Sequence, residues 1–162
     1  MKKLIPLMVT AVLFAVDQII KIWALDTLEP LGRIVVIPGL FNLTYIENRG
    51  AAFGIFQGQT VLLSIVSGIL LFVIVAALLL GKVKSKFLTW CVCIGLAGGF
   101  GNLYDRVFRR FVVDYFDFSA LFGFPVFNFA DCLVVSATFL ILIYCLRQEN
   151  ASKCTAGEPG NG

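Results

Sequence analysis

The sequence predicts a mainly α-helical, polytopic membrane protein. Four helices cross the bilayer, and a small β-sheet or hairpin lies between the first two. Three observations carry this. Of the 162 residues, 59% are hydrophobic and only 14% are charged, against roughly a quarter charged in soluble domains. The mean hydropathy is +0.93. Four apolar stretches, at about 4–25, 60–81, 87–106 and 125–146, each reach the ~20 helical residues that span a hydrocarbon core of ~30 Å.

The first stretch follows Met1-Lys2-Lys3 and resembles a secretory leader. Its apolar run is too long for one, and Trp23-Ala24-Leu25-Asp26 is a poor cleavage site. It is expected to be a retained helix. The segment 26–59 contains Arg33-Ile34-Val35-Val36-Ile37-Pro38-Gly39 and Leu40-Phe41-Asn42-Leu43-Thr44-Tyr45-Ile46. β-Branched and aromatic runs about a Pro-Gly pair predict the sheet or hairpin, lying on the membrane surface. The link Gly81-Lys82-Val83-Lys84-Ser85-Lys86 has three lysines and no acid, the mark of a cytoplasmic loop. Arg33, Arg49, Arg106, Arg109 and Arg110 then fall outside, but the short lysine loop decides the orientation. Both termini are expected to be cytoplasmic. Residues 1–147 form one membrane-embedded domain, and the polar residues 148–162 a disordered cytoplasmic tail.

Composition excludes several chemistries. There is no histidine, which removes Ser-His-Asp and Cys-His mechanisms and His-ligated zinc. The five cysteines, Cys91, Cys93, Cys132, Cys145 and Cys154, include no CxxC pair. They read as small packing residues and a tail thiol. A net charge of +3 without a dense basic tract does not suit nucleic acid. No metal or cofactor is expected.

Charges within membrane helices are costly and mark candidate sites. Asp17 and Lys21 share one face of the first helix. Asn102, Asp105 and Arg106 end the third, and Asn128 and Asp131 open the fourth, with Asp131 read as about two turns inside it. With the termini inside, all three groups lie at the outer side. The bland readings are an intrahelical pair for Asp17 and Lys21, snorkelling anchors for Arg109 and Arg110, and a solvated loop residue for Asp117.

Five motifs in order resemble those of the lipoprotein signal peptidase (signal peptidase II) family. They are Asp17-Gln18-Ile19-Ile20-Lys21, Asn48-Arg49-Gly50-Ala51-Ala52-Phe53-Gly54, Gly98-Gly99-Phe100-Gly101-Asn102-Leu103-Tyr104-Asp105-Arg106, Val112-Val113-Asp114-Tyr115 and Phe127-Asn128-Phe129-Ala130-Asp131. The resemblance implies a bacterial cytoplasmic-membrane endopeptidase with its site toward the extracytoplasmic side. It would cut diacylglyceryl-modified prolipoproteins just before the lipidated cysteine. Asp114 and Asp131 would be its catalytic dyad. Asn48, Asn102, Arg106 and Asn128 would bind substrate backbone or hold the dyad. Asp17, Lys21 and Asp105 would brace the helices, and Gly50 would let the loop approach substrate closely. The partners expected are these substrates and membrane lipids, with the protein a monomer.

Paired carboxylates suit such chemistry without metal or histidine. Two close carboxylates share one proton, so one can act as base while the other donates. The alternative is a small four-helix proton-coupled transporter. Transport sites lie near the midplane, whereas these polar groups lie toward one end. The lysine loop makes the topology testable. A reporter fused after Arg147 should read as cytoplasmic and one inserted near Arg33 as external; the opposite pattern would contradict the orientation.

Overall fold

The computed structural model describes residues 4–51 and 55–156. Helix α1 spans Leu4–Trp23 and continues through a wide π turn, Ala24–Leu28, into a short turn, Glu29–Leu31. Strand β1, Arg33–Ile37, and strand β2, Phe41–Asn48, follow as a hairpin. Its turn closes with Leu40 N–H donating to Ile37 O at 3.1 Å. Gly39 sits at φ +73, the left-handed position that a Pro-Gly turn reserves for glycine. Helix α2 is Thr60–Leu79 and helix α3 is Lys86–Tyr104. A second π turn, Asp105–Arg109, extends α3 before strand β3, Val112–Asp117. Helix α4 spans Phe129–Ala156.

Among the described residues four helices are long and apolar enough to cross a membrane. Their large apolar side chains point outward: Phe72 and Leu80 are each 74% exposed. That is the surface a lipid-embedded bundle presents, since acyl chains satisfy it as well as a core would. α3 is the central helix and packs against α1, α2 and α4. Its glycines explain how. A Cβ on Gly98 would collide with the Ala130 carbonyl of α4, and one on Gly101 with the Asp17 carboxylate of α1. Gly99 would meet Leu71 of α2 at 2.6 Å. Close approach on three sides needs a helix without side chains at those points.

The sheet is antiparallel, in the order β1-β2-β3. Arg33 pairs with Thr44, and Ile46 with Asp114. β3 comes from the Phe-rich segment after α3, so the hairpin expected between the first two helices is enlarged by a third strand. Ala24, Leu28, Val113 and Tyr115 form a buried core between the sheet and the end of α1.

Two boundaries differ from the sequence expectation. α4 begins at Phe129, not near 125, because Phe127 is drawn into pairing with β3: Phe127 N–H donates to Phe116 O at 3.1 Å. Asp131 therefore lies in the first turn of α4 instead of two turns inside. At the other end α4 runs to Ala156, through residues 148–156 expected to be disordered. That stretch has no Pro or Gly before Gly157 to stop a helix. The remaining tail, 157–162, lies outside the described residues.

Arg110 follows the second π turn at φ 71. An L-residue in this left-handed region costs about 1 kcal/mol, which glycine avoids. Arg110→Gly should therefore raise the thermal unfolding midpoint of the detergent-solubilised protein. A lower midpoint would contradict this account.

Candidate active site

The site is assembled from a buried ion cluster upward. Lys21 is fully buried, and its ammonium has three partners: Asp17 at 3.1 Å, Asp105 at 2.9 Å and Asn102 Oδ1 at 3.0 Å. Arg109 also donates to Asp105, and to Gln18 Oε1 at 2.8 Å. Two cations thus face two carboxylates. A buried charge without a partner would cost several kcal/mol.

Each carboxylate also ties in a further element. Asp17 Oδ1 accepts from Ala130 N at 3.1 Å, and Asp105 Oδ2 from Val113 N at 3.2 Å. The first is an unpaired donor at the start of α4, the second a backbone amide of β3. The N-terminus of α4 is held at two more points. Phe129 N donates to the Tyr115 hydroxyl at 3.1 Å. Asn128 and Asp131 form a reciprocal capping box: Asp131 N donates to Asn128 Oδ1 at 2.9 Å, and Asn128 N to Asp131 Oδ2 at 3.2 Å. Side chains thereby satisfy the first N–H groups of the helix, which have no intrahelical acceptor.

Two asparagines connect this frame to two aspartates. Asn102 accepts from Lys21, so its amide nitrogen faces Asp131, to which it donates at 2.7 Å. Asn128 Nδ2 donates to Asp114 Oδ1 at 2.6 Å and to Asn102 Oδ1 at 3.2 Å. Asn48 Nδ2 donates to Asp114 Oδ2 at 2.9 Å. Asp114 is 2% exposed. Burial first, and then the nearby charge of Asp131, push its carboxyl up to about 7; Asn48, Asn128 and Lys21 pull the other way.

Asp114 and Asp131 line one cavity of about 790 Å³. Its lining includes polar Asn48, Gln57, Asn102 and Arg106 and apolar Phe124, Val126, Phe127, Val134 and Val135. Val135 is 67% exposed, so the cavity opens along the outer face of α4. Arg106 Nη2 donates to Gly50 O at 3.2 Å, joining α3 to the loop after β2.

Residues 9–147 match the family described as Signal peptidase (SPase) II. The lipoprotein signal peptidase of Clostridium acetobutylicum is 42% identical over 146 residues, covering 89% of this chain and 95% of that protein. That of Clostridioides difficile is 39% identical, covering 91% and 98%. A bacterial membrane enzyme solved by the in meso method at 2.3 Å aligns with a TM-score of 0.80 at 27% identity, covering 97% of this chain and 93% of its own. A second such enzyme, at 1.9 Å, gives 0.75 at 30% identity, covering 87% and 92%. The chain belongs to the signal peptidase II family. It is accordingly a hydrolase of the protease class with a membrane-spanning helical body.

Within this signal peptidase II chain the ten singled-out residues fall into two linked clusters. Asp17, Lys21, Asn102 and Asp105 make the ion cluster; Asn48, Arg106, Asp114 and Asp131 line the cavity, as does Asn102, while Asn128 and Gly50 join it through hydrogen bonds to Asp114 and Arg106. Gly50 makes its close approach within its own loop: a Cβ there would meet Ile55 O at 2.8 Å. Ala52, Phe53 and Gly54 of that motif lie outside the described residues.

Two bland readings need correction. Arg109 is no free anchor, because Asp105 and Gln18 hold it and its guanidinium lies 5.4 Å from the centre of the Tyr104 ring. Asp117 is buried, not solvated. It accepts from Thr44 Oγ1 at 2.7 Å and Ser119 N at 2.9 Å, which fasten the end of β3. The role of the Tyr115 hydroxyl is not legible in the sequence, since nothing in a strand says which hydroxyl will meet a helix end. The Asn128-x-x-Asp131 spacing is a capping-box pattern and, in place of the expected start near 125, gives the start of α4.

The hydrogen bonds to Asp114 generate a prediction. Asn48 donates to its ionised form and so lowers its pKa. Asn48→Ala should therefore raise the pH at which Asp114 loses its proton, above about 7 in the parent. pH-difference infrared spectroscopy of the protonated carboxyl band would read this, with Asp114→Asn identifying the band. An unchanged or lowered midpoint would contradict the assigned role of Asn48.

Proposed function

We propose that this protein is an aspartic endopeptidase that removes the signal peptide from diacylglyceryl-modified prolipoproteins, cutting just before the lipidated cysteine. The observation that carries the reading is that buried Asp114 and half-buried Asp131 line one cavity of mixed polar and apolar lining, in a chain of the signal peptidase II family. A peptide needs polar partners and a diacylglyceryl group needs an apolar wall open to lipid; this cavity offers both.

In the proposed mechanism Asp114, protonated up to about pH 7, hydrogen-bonds the scissile carbonyl. Asp131 takes a proton from water as that water attacks the carbonyl carbon. The tetrahedral intermediate collapses when the leaving amine receives a proton from the pair, which then returns to its shared-proton state. Arg106, Asn48 and Asn102 line the same cavity and are assigned to the substrate backbone or to the aspartates. Both termini are placed in the cytoplasm and the site toward the extracytoplasmic side, on the strength of the lysine loop. In this reading the protein acts as a monomer. Family membership weighs against the transporter alternative.

Asp114→Asn and Asp131→Asn keep side-chain shape but cannot share a proton. Each should lower cleavage of a fluorescent lipidated peptide by roughly 10²–10⁴-fold, and the double variant should be little worse than either. Exposed Asp26 is the control, and Asp26→Asn should leave the rate near that of the parent. The profile of kcat/KM should fall on the alkaline side as Asp114, pushed up to about 7, loses its proton. Near-parental cleavage by folded Asp131→Asn enzyme would overturn the mechanism.

A further inference from the structure

A second concavity lies on a different face of α3 from the aspartates. It has a volume of about 430 Å³ and is lined by Leu7, Thr10, Ala11 and Phe14 of α1, and by Phe100, Leu103, Tyr104, Val107 and Phe108 of α3 and its π turn. Thr10 and Tyr104 carry the hydroxyls among these lining residues, and that of Thr10 is already bonded to Cys93 O at 2.9 Å. The rest of the lining is apolar. From Phe100 to Phe108 it follows α3 for about 12 Å, given a rise of ~1.5 Å per residue.

One end of the groove is different. Tyr104 stacks edge-on with Phe14 at 5.9 Å and lies 4.6 Å from Phe108, giving an aromatic rim. Arg109 lies over that rim, with its guanidinium on the Tyr104 ring. Both of its side-chain hydrogen bonds, to Asp105 and Gln18, come from Nη1. Nη2 and Nε make no hydrogen bond to the described residues. Exposed Arg110 follows directly and forms no salt bridge among the described residues. An apolar channel thus runs into an aromatic collar topped by guanidinium donors. Aromatic rings and arginines take this order where a membrane meets water.

We propose that this groove binds one phospholipid of the surrounding bilayer. An acyl chain fills the channel between α1 and α3, and the phosphodiester accepts from the free nitrogens of Arg109, with Arg110 adding charge. A planar fork of donors suits a phosphate, and the two arginines favour an anionic headgroup over a zwitterionic one. The site does not depend on the peptidase reading, since the cavity holding Asp114 and Asp131 uses other side chains.

The test uses the full chain, delipidated in detergent and titrated with phosphatidylglycerol, phosphatidylcholine or diacylglycerol of equal chain length. Native mass spectrometry counts retained lipid. The parent should hold one phosphatidylglycerol more tightly than either other lipid. Arg109→Gln should weaken that retention about fivefold, the effect of one arginine near an anionic lipid. Ala11→Trp fills the channel from an exposed position and should abolish the tightly held lipid while leaving peptide cleavage intact. Equal retention of diacylglycerol and phosphatidylglycerol by the parent would overturn the phosphate assignment. Parental retention by Ala11→Trp would overturn the site.

Discussion

The ammonium of Lys21 is the interaction on which the rest of the structure depends. It has three donors, and Asp17, Asp105 and Asn102 take all three. Buried, each of these groups would be costly alone, so none can move without leaving another unpaired. Their other bonds spread that constraint through the protein. Asp17 reaches Ala130 at the start of α4, Asp105 reaches Val113 in β3, and Asn102 reaches Asp131. Three helices and the sheet therefore meet at one point, although lipid gives them no hydrophobic drive to associate.

Asparagine is the residue that carries this order to the aspartates. Each amide offers donors and acceptors at fixed positions and no charge. Asn102 accepts from Lys21, which turns its nitrogen toward Asp131; Asn128 caps α4 with its oxygen and donates to Asp114 with its nitrogen. A carboxylate in either place would face Asp114 or Asp131 with like charge, and a lysine would neutralise the pair. The neutral amides leave Asp114 to its burial and to the nearby charge of Asp131, which together push its carboxyl up.

The glycines of α3 perform a matching steric task. Side chains at Gly98 and Gly101 would strike Ala130 O and Asp17, so the ion cluster and the helix cap can both approach α3 only because these positions are bare. Packing and electrostatics are thus coupled. The short spacing of α1, α3 and α4 brings the polar groups within hydrogen-bond range, and those bonds in turn hold the helices there.

Much was legible in the sequence, because its signals are local or compositional. Four apolar runs give four helices whatever their arrangement. Pro38-Gly39 gives a turn, Asn128-x-x-Asp131 gives a helix start, and an unpaired charge in an apolar run marks a site since lipid tolerates it poorly. The motifs of the signal peptidase II family added which residues belong together. Other features depended on partners distant in the chain. Val112–Asp117 becomes a strand because β2 is there to pair with it, and Asp117 is buried because Thr44 and Ser119 surround it. Arg109 stops being a surface anchor because Asp105 and Gln18 lie beside it. A sequence by itself determines what a residue needs: burial, a partner, a turn. Only the tertiary structure decides which distant group meets that need, because hydrogen bonds and ion pairs act over a few ångströms in space and not along the chain.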